Sequence, residues 1–391
     1  MVTFLGNSSD SIDADVIVVG LGAMGSQTLW RLAERGVDAI GIEQFTPGHD
    51  RGASHGESRI IRSAYAEGAS YVPLVKEAWQ LWRELEEVSG AHLLEQTGAL
   101  MVGPADSPVI AGPLASARAW DLKYQLLETA ELREAFPQYV PADGLMGFYE
   151  EDAGYLRPEA SVTAAVEAAR VRGAEVLRES GVTAILPDPV RPRVRLGDRE
   201  LTARHVVVAA GGWLPGLLPA TARLMHVERR VMGWFRVADP AAFEARRFPV
   251  FVHSDASGDH NLYGFPTLDG ETVKVGLHTW PGIDEVIDPA DGHRPPDQAD
   301  AQRFAEAVDR TFVGVDPQPV RMESCMYSLT PDRHFLVGPR ADLPGLTLLA
   351  GFSGHGFKFA TVIGEIAAQF AVTGKSALPV EKFDPHRFDR R

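Results

Sequence analysis

Residues 15–25 constrain the chain more than any other stretch: Asp15-Val16-Ile17-Val18-Val19, followed at once by Gly20-Leu21-Gly22-Ala23-Met24-Gly25. An apolar, β-branched run of this kind predicts a parallel strand covered on both faces. Gly20 permits a tight turn, and Gly22 lets the backbone come up to a pyrophosphate with no Cβ in the way. Gly25 lets the next helix pack closely on the strand, its N-terminus and dipole facing the phosphates. That helix is predicted over 23–34, with Leu29, Leu32 and Ala33 inward. Gly36 stops it, and a second strand over 37–42 ends at Glu43. An acidic residue roughly twenty positions past the glycines can accept hydrogen bonds from an adenosine ribose. Strand, glycines, helix, second strand and terminal Glu in this order predict a dinucleotide site that favours a 2′-hydroxyl over a 2′-phosphate. The fingerprint by itself does not separate NAD from FAD.

At 391 residues the chain exceeds a single core, so two domains, or one large domain with insertions, are expected. A net charge of -15 argues against nucleic acid and anionic membrane surfaces as partners, though not against a small anionic substrate in a locally basic pocket. No stretch approaches the roughly twenty apolar residues of a membrane span. The first fourteen residues have neither a basic n-region nor an apolar h-region, so they are expected to be a short disordered extension rather than a signal peptide. The single cysteine, Cys325, excludes an intramolecular disulfide and fits a reducing cytoplasm. No metal is called for.

After Glu43, residues 46–62 are polar, rich in Gly and Ser, and read as a long loop carrying His55, Arg59 and Arg62; such loops are usually functional. Helices are predicted over 71–89, 111–124, 158–173, 301–312 and 359–370, the first with a core stripe of Val72, Val75, Trp79, Trp82 and Leu85. Strands are predicted over 97–103, 147–149, 182–186 and 194–196. Another, over 204–210, closes on Gly211-Gly212-Trp213 and returns the chain to the cofactor sheet. From 225 to 237 and from 250 to 278 the pattern changes to strands and turns, typical of an antiparallel substrate-domain sheet. Residues 324–338 read as an exposed turn followed by a strand. The last core strand, 346–350, runs into Gly351-Phe352-Ser353-Gly354-His355-Gly356-Phe357-Lys358, a glycine-rich turn that places a second helix N-terminus at a ligand.

Three stretches together carry a family resemblance: the glycine fingerprint, Ser54-His55-Gly56-Glu57-Ser58-Arg59-Ile60-Ile61-Arg62, and Cys325-Met326-Tyr327…Thr330-Pro331-Asp332 with residues 351–358. On them the chain resembles the monomeric sarcosine oxidases, in the group that includes N-methyltryptophan oxidase and pipecolate oxidase, from about Asp13 to Phe383. The resemblance implies an α/β (α+β mixed) protein: a Rossmann-like FAD-binding domain plus an antiparallel or mixed-sheet substrate domain. The FAD domain is expected over 1–90, 150–225 and 325–391, the substrate domain over 91–149 and 226–324. It also implies a cytoplasmic monomer acting on a small amino acid and O₂.

The same resemblance assigns roles residue by residue. Cys325 resembles the cysteine that forms a thioether with the flavin 8α-carbon. Lys274 resembles the lysine that sits by the flavin and activates oxygen. Arg62 and Lys358 resemble the pair that clamps the substrate carboxylate, with Tyr263, Tyr327 and His278 lining the pocket and the Gly354 carbonyl facing the substrate amine. His55 and Arg59 resemble groups close to the flavin ring and, with Lys274 and His278, are the catalytic candidates. FAD contacts are expected from Gly20, Gly22, Ala23, Met24, Gly25, Glu43, Gln44, Ser54, Arg59, Gly211, Trp213, Gly354, Gly356, Phe357 and Lys358.

The chain departs from the family pattern around the pocket. Ser54-His55 stands where two histidines are common, Glu57 where Asp is, and Val252 where a methionine is expected; the stretch 251–263 is longer. These changes bear on the substrate, not the reaction. The expected activity is oxidative demethylation of sarcosine to glycine, formaldehyde and hydrogen peroxide. The alternatives are a bulkier N-methyl or cyclic amino acid, a non-oxidase FAD or NAD dehydrogenase, and a flavin-bearing redox or scaffold protein without turnover. The residue types suit the first reading. Arg offers a carboxylate a bidentate fork and Lys a point charge, and a cationic pocket disfavours the ammonium form of the amine.

Overall fold

The computed structural model describes residues 12–292 and 294–389; the expected N-terminal extension lies, up to residue 11, outside them. Ala14–Val19 is a strand at the centre of an eight-stranded sheet. Parallel neighbours flank it: Ala39–Ile42 and Glu175–Leu177 on one side, Arg199–Val208 and Leu343–Ala350 on the other. Val16 and Val18 point into one core and Ile17 and Val19 into another, so both faces are covered, as the unbroken apolar run requires. The helix Ala23–Glu34 packs on the helices Pro158–Val171 and Ala360–Thr373. The contact is close enough that a Cβ on Gly364 would come within 2.6 Å of the Gln27 backbone.

A nine-stranded sheet forms the second layer. From one edge its order is Glu285–Val286, His226–Val237, Thr272–Thr279, Asn261–Phe265, Val250–Ser254, Ala99–Pro104, Leu145–Glu150 and Gln125–Leu127. The long strand Val315–Leu329 pairs with His226–Val237 as well. All pairings are antiparallel except that between Val250–Ser254 and Ala99–Pro104, so the sheet is mixed. A small third sheet joins Arg59–Arg62, Ala153–Leu156 and Leu94–Gln96.

Two expectations need correction. The loop expected over 46–62 ends four residues early, because Arg59–Arg62 is a strand paired with Ala153–Leu156. Its arginines disguise it: Arg62 is buried and Ile61 wholly so. Nor are residues 324–329 an exposed turn. They end the strand Val315–Leu329, with Cys325 and Met326 buried, and the turn comes only at 330–335. Pro317 and Pro319 hide the strand in the sequence; it tolerates them because it pairs on one side only. The expected domain boundary at 324/325 therefore falls inside one strand.

Candidate functional site

A cavity of about 740 Å³ runs from the Gly20–Ala23 turn to the face of the nine-stranded sheet. At its first end the glycines divide the work. A Cβ on Gly25 would lie 1.8 Å from the Gly20 carbonyl oxygen, and one on Gly20 2.6 Å from that of Ala209, so both serve close packing of turn, helix and strand. Gly22 differs: a Cβ there would meet only Ser54 Oγ, at 3.7 Å, and its missing side chain widens the cavity. It precedes a helix with no acidic residue in its first turn, whose first N–H, that of Ala23, donates to Ser54 Oγ at 3.2 Å, an arrangement suited to a phosphate. The Glu43 carboxylate, buried at the end of the neighbouring strand, accepts from Leu21 N–H at 2.8 Å and Phe45 N–H at 3.0 Å. Burial would raise its pKa, but His49 and these two bonds hold it below the ordinary value, so it stays charged. Gly211, Trp213, Gln44 and Ser54 also line this part.

Strand register builds the other end. Side chains alternate between faces, and one face of the large sheet collects Tyr263, Lys274, His278, Arg230, Cys325 and Tyr327: Arg230 stands opposite Cys325, and Tyr263 opposite Gly276. Two glycines make room for the rings. A Cβ on Gly276 would come within 2.4 Å of Tyr263, and one on Gly354 within 2.5 Å of Tyr327. Tyr327 Oη lies 3.4 Å from His278 Nδ1, and the Arg230 guanidinium sits 5.0 Å from the Tyr327 ring. Burial pushes both tyrosine hydroxyls up and the His278 imidazole down, so all three are neutral at pH 7.

Arg62 and Lys358 meet in the same cavity. Arg62 Nη1 donates to the Ala64 carbonyl at 2.8 Å, Nη2 lies 3.3 Å from Glu67 Oε2, and Lys358 Nζ donates to the His355 carbonyl at 3.0 Å. Burial and then the Arg62 charge bring the Lys358 ammonium down to about 7. Burial would raise Glu67, but the charges of His355, Arg62 and Lys358 bring it to about 2. Sequence reasoning missed Glu67; the only signal was an acid five residues after a candidate arginine.

Cys325 also lines the cavity, with Arg59 Nη2 at 3.6 Å from its sulfur. Burial would push the thiol up; His55, then Arg59, bring it down to about 7. Burial would likewise lower His55, but Cys325 and Glu323, whose Oε2 is 3.6 Å from His55 Nδ1, raise it to about 9. The sulfur is thus partly ionised near pH 7, beside His55 and Arg59, which favour its thiolate.

Of the predicted residues, Gly20, Gly22, Ala23, Met24, Glu43, Gln44, Ser54, Arg59, Arg62, Gly211, Trp213, Tyr263, His278, Cys325, Tyr327, Gly354, Gly356, Phe357 and Lys358 reach the cavity. Gly25, His55 and Lys274 do not, and stand one layer behind its wall. Lys274 is 2% exposed, donates to the carbonyls of Gly56 and Ser58, and lies 4.4 Å from the Phe265 ring. Burial and then the Arg59 charge push its ammonium well below the usual lysine value.

The family model described as DAO, FAD dependent oxidoreductase, matches residues 15–370. A protein named monomeric sarcosine oxidase, from Streptomyces avermitilis, is 38% identical over 377 residues, 95% of this chain and 97% of that one. An N-methyl-L-tryptophan oxidase from Yersinia pestis is 33% identical over 386 residues, 96% of this chain and 100% of that one. Among solved structures, NikD, described as an unusual amino acid oxidase essential for nikkomycin biosynthesis, superposes with a TM-score of 0.84 at 26% identity, covering 96% of this chain and 98% of that one.

Proposed function

Because the chain belongs to the FAD dependent oxidoreductase family, we propose that it is a monomeric, FAD-dependent oxidase of small secondary α-amino acids, with sarcosine as the first candidate substrate. One observation carries this reading: a buried arginine and a buried lysine converge in the cavity that also holds the phosphate-type turn and the only thiol. The overall charge of -15 would repel a carboxylate, so a local pair of cations calls for an anionic substrate.

FAD fits the cavity. The glycine turn and the helix N-terminus would take its pyrophosphate and Glu43 its ribose, and the Cys325 thiolate would anchor it through the 8α-carbon, that carbon losing a proton and the electron pair passing to O₂. The chemistry FAD would supply there is acceptance of a hydride from the carbon beside the substrate nitrogen and return of the electron pair to O₂, giving hydrogen peroxide. The chain's own residues arrange the rest. Arg62 and Lys358 bind the carboxylate, with Glu67 balancing their charge when none is present. The same cations disfavour the ammonium form, leaving a lone pair on nitrogen to assist hydride loss. The Gly354 carbonyl accepts from the amine N–H, and the neutral His278, Tyr263 and Tyr327 close the pocket without adding charge. The product imine leaves and hydrolyses in water, for sarcosine to glycine and formaldehyde. Lys274, behind the wall, stabilises negative charge on oxygen during the second half-reaction.

A second reading, a bulkier N-methyl or cyclic amino acid, draws on the wall beyond Tyr263, where Met101, Val109, Val252 and Phe265 are apolar. Peroxide release from sarcosine, N-methyl-L-tryptophan, pipecolate and a carboxylate-free secondary amine decides. Preference for sarcosine supports the first reading and preference for N-methyl-L-tryptophan or pipecolate the second. Preference for the carboxylate-free amine overturns both.

A further inference from the structure

The strand Leu145–Glu150 ends in a carboxylate that the chemistry above does not use. Glu150 is 1% exposed. Its Oε2 accepts from Ser63 N–H at 3.2 Å and from Ala64 N–H at 2.9 Å, and its Oε1 has no hydrogen-bond partner among the described residues. Ala64 in turn offers its carbonyl to Arg62 Nη1 at 2.8 Å. Glu150 therefore grips one side of the residue whose other side fixes the Arg62 guanidinium. Further bonds hold the same segment. Ser63 Oγ donates to the Asp152 carbonyl at 3.1 Å, and Ser116 Oγ to that of Tyr65 at 2.6 Å. A carboxylate buried this deeply is costly unless its charge is compensated, and here the compensation is the backbone that carries Arg62.

We propose that Glu150 is a positioning residue for recognition of the substrate carboxylate: its charged form holds residues 63–64 so that Arg62 is aimed into the cavity, and its protonation loosens that aim. This rests on Arg62 and Lys358 forming the carboxylate clamp. The charged groups facing Glu150 are Arg62 and Asp152. The strand Ala99–Pro104 paired with it brings none, and Arg118 on the helix Pro108–Trp120 is exposed. Burial pushes the Glu150 carboxyl up to about 7, against the Ala64 bond and the Arg62 charge. Its charge is therefore lost as pH falls through about 7. Lys358 loses its charge as pH climbs through the same value, so wild-type KM should be lowest near neutral pH and rise to either side, the acid limb from Glu150 and the alkaline limb from Lys358.

The test compares flavin-loaded wild type, Glu150→Gln, Glu150→Asp and Arg62→Ala with sarcosine (N-methyl-L-tryptophan if wild type prefers it) from about pH 5.5 to about pH 8. Readouts are KM, kcat and melting temperature. Glu150→Gln is expected to raise KM roughly tenfold above neutral pH, the size of one lost charge-assisted hydrogen bond. It should leave kcat and melting temperature near wild type and abolish the acid-side rise in KM. Glu150→Asp should raise KM while keeping that rise; if Glu150→Gln does not retain flavin, this variant decides alone. Wild-type KM in both Glu150 variants, beside a raised KM in Arg62→Ala, overturns the proposal and spares the clamp. Unchanged KM in Arg62→Ala overturns the clamp and the proposal with it. Loss of kcat and melting temperature together, with a wild-type pH profile of KM, makes Glu150 structural and also overturns it.

Discussion

Arg62 and Lys358 share one aromatic ring: the guanidinium carbon lies 5.0 Å, and the ammonium nitrogen 5.1 Å, from the centre of Tyr65. Two like charges so close, both buried, repel one another, and the ring's electron-rich face offsets part of that cost. What they lack is an anion that meets both, since the ionised Glu67 contacts, among the described residues, Arg62 and not Lys358, through a single 3.3 Å approach.

On the proposed reading a substrate carboxylate supplies it. Arg62→Ala should raise KM for sarcosine about ten- to a hundredfold, the scale of a lost charge-assisted contact, and leave a carboxylate-free amine almost unaffected. Steady-state peroxide assays on both substrates check this, and an equal effect on the two would show that Arg62 is not a carboxylate ligand.

Lys358 gives the clamp an alkaline limit. Its ammonium is brought to about 7, so it carries charge below that pH and loses it above. KM for the carboxylate substrate should rise as pH climbs through and beyond about 7, and Lys358→Met should have a higher KM without that rise. A wild-type alkaline rise that persists in Lys358→Met points to another group.

The flavin should be attached at Cys325. Acid-precipitated protein is expected to stay yellow, with a mass increment matching FAD on the Cys325 peptide, and Cys325→Ala should release its flavin into the supernatant. Complete release from wild type would sink the attachment and leave FAD binding untouched.

Lys274→Met should slow reoxidation of the reduced enzyme by about a hundredfold or more, the usual cost of removing one preorganised electrostatic donor, while anaerobic reduction changes much less. Because burial holds its pKa well below the usual lysine value, wild-type reoxidation should also slow on the alkaline side sooner than a free lysine would cause. Stopped-flow traces of the two half-reactions measure both, and equal slowing would make Lys274 structural.

Stability should fall in acid for a reason outside the cavity. His253 is buried against Tyr139, its Nδ1 without a hydrogen-bond partner among the described residues, and burial lowers it from 6.5 to about 4. The unfolded chain binds a proton between these values where the folded one does not, so stability present above pH 6.5 is lost as pH falls toward about 4. His253→Phe should flatten part of that decline in melting temperature. A decline of wild-type steepness in the variant would refute the assignment.

The parts legible in the sequence were those whose physics is local. The apolar strand, its glycines and the helix after them follow from residues 15–34 alone, and the turn at 351–358 is readable for the same reason. Arg59–Arg62 was not, because it carries charge at both ends, with Arg62 buried and Arg59 half-buried at the cavity, a fact available only once Ala153–Leu156 lies beside it. Glu150 and Ala64 are 86 positions apart and Glu323 and His55 farther still. Nothing in either segment announces the other; only the fold makes them neighbours.

The cation pair and the apolar wall come from different pieces of chain. Arg62 and Lys358 arise on a short strand and a glycine turn, whereas Met101 and Val252 face each other across the one parallel pairing of the large sheet. On the proposed reading, exchanges at Met101 or Val252 should leave the grip on the amino-acid end untouched. Selection can therefore reshape what such a protein accepts in small, separately tolerated steps, without passing through an ancestor that has lost its chemistry.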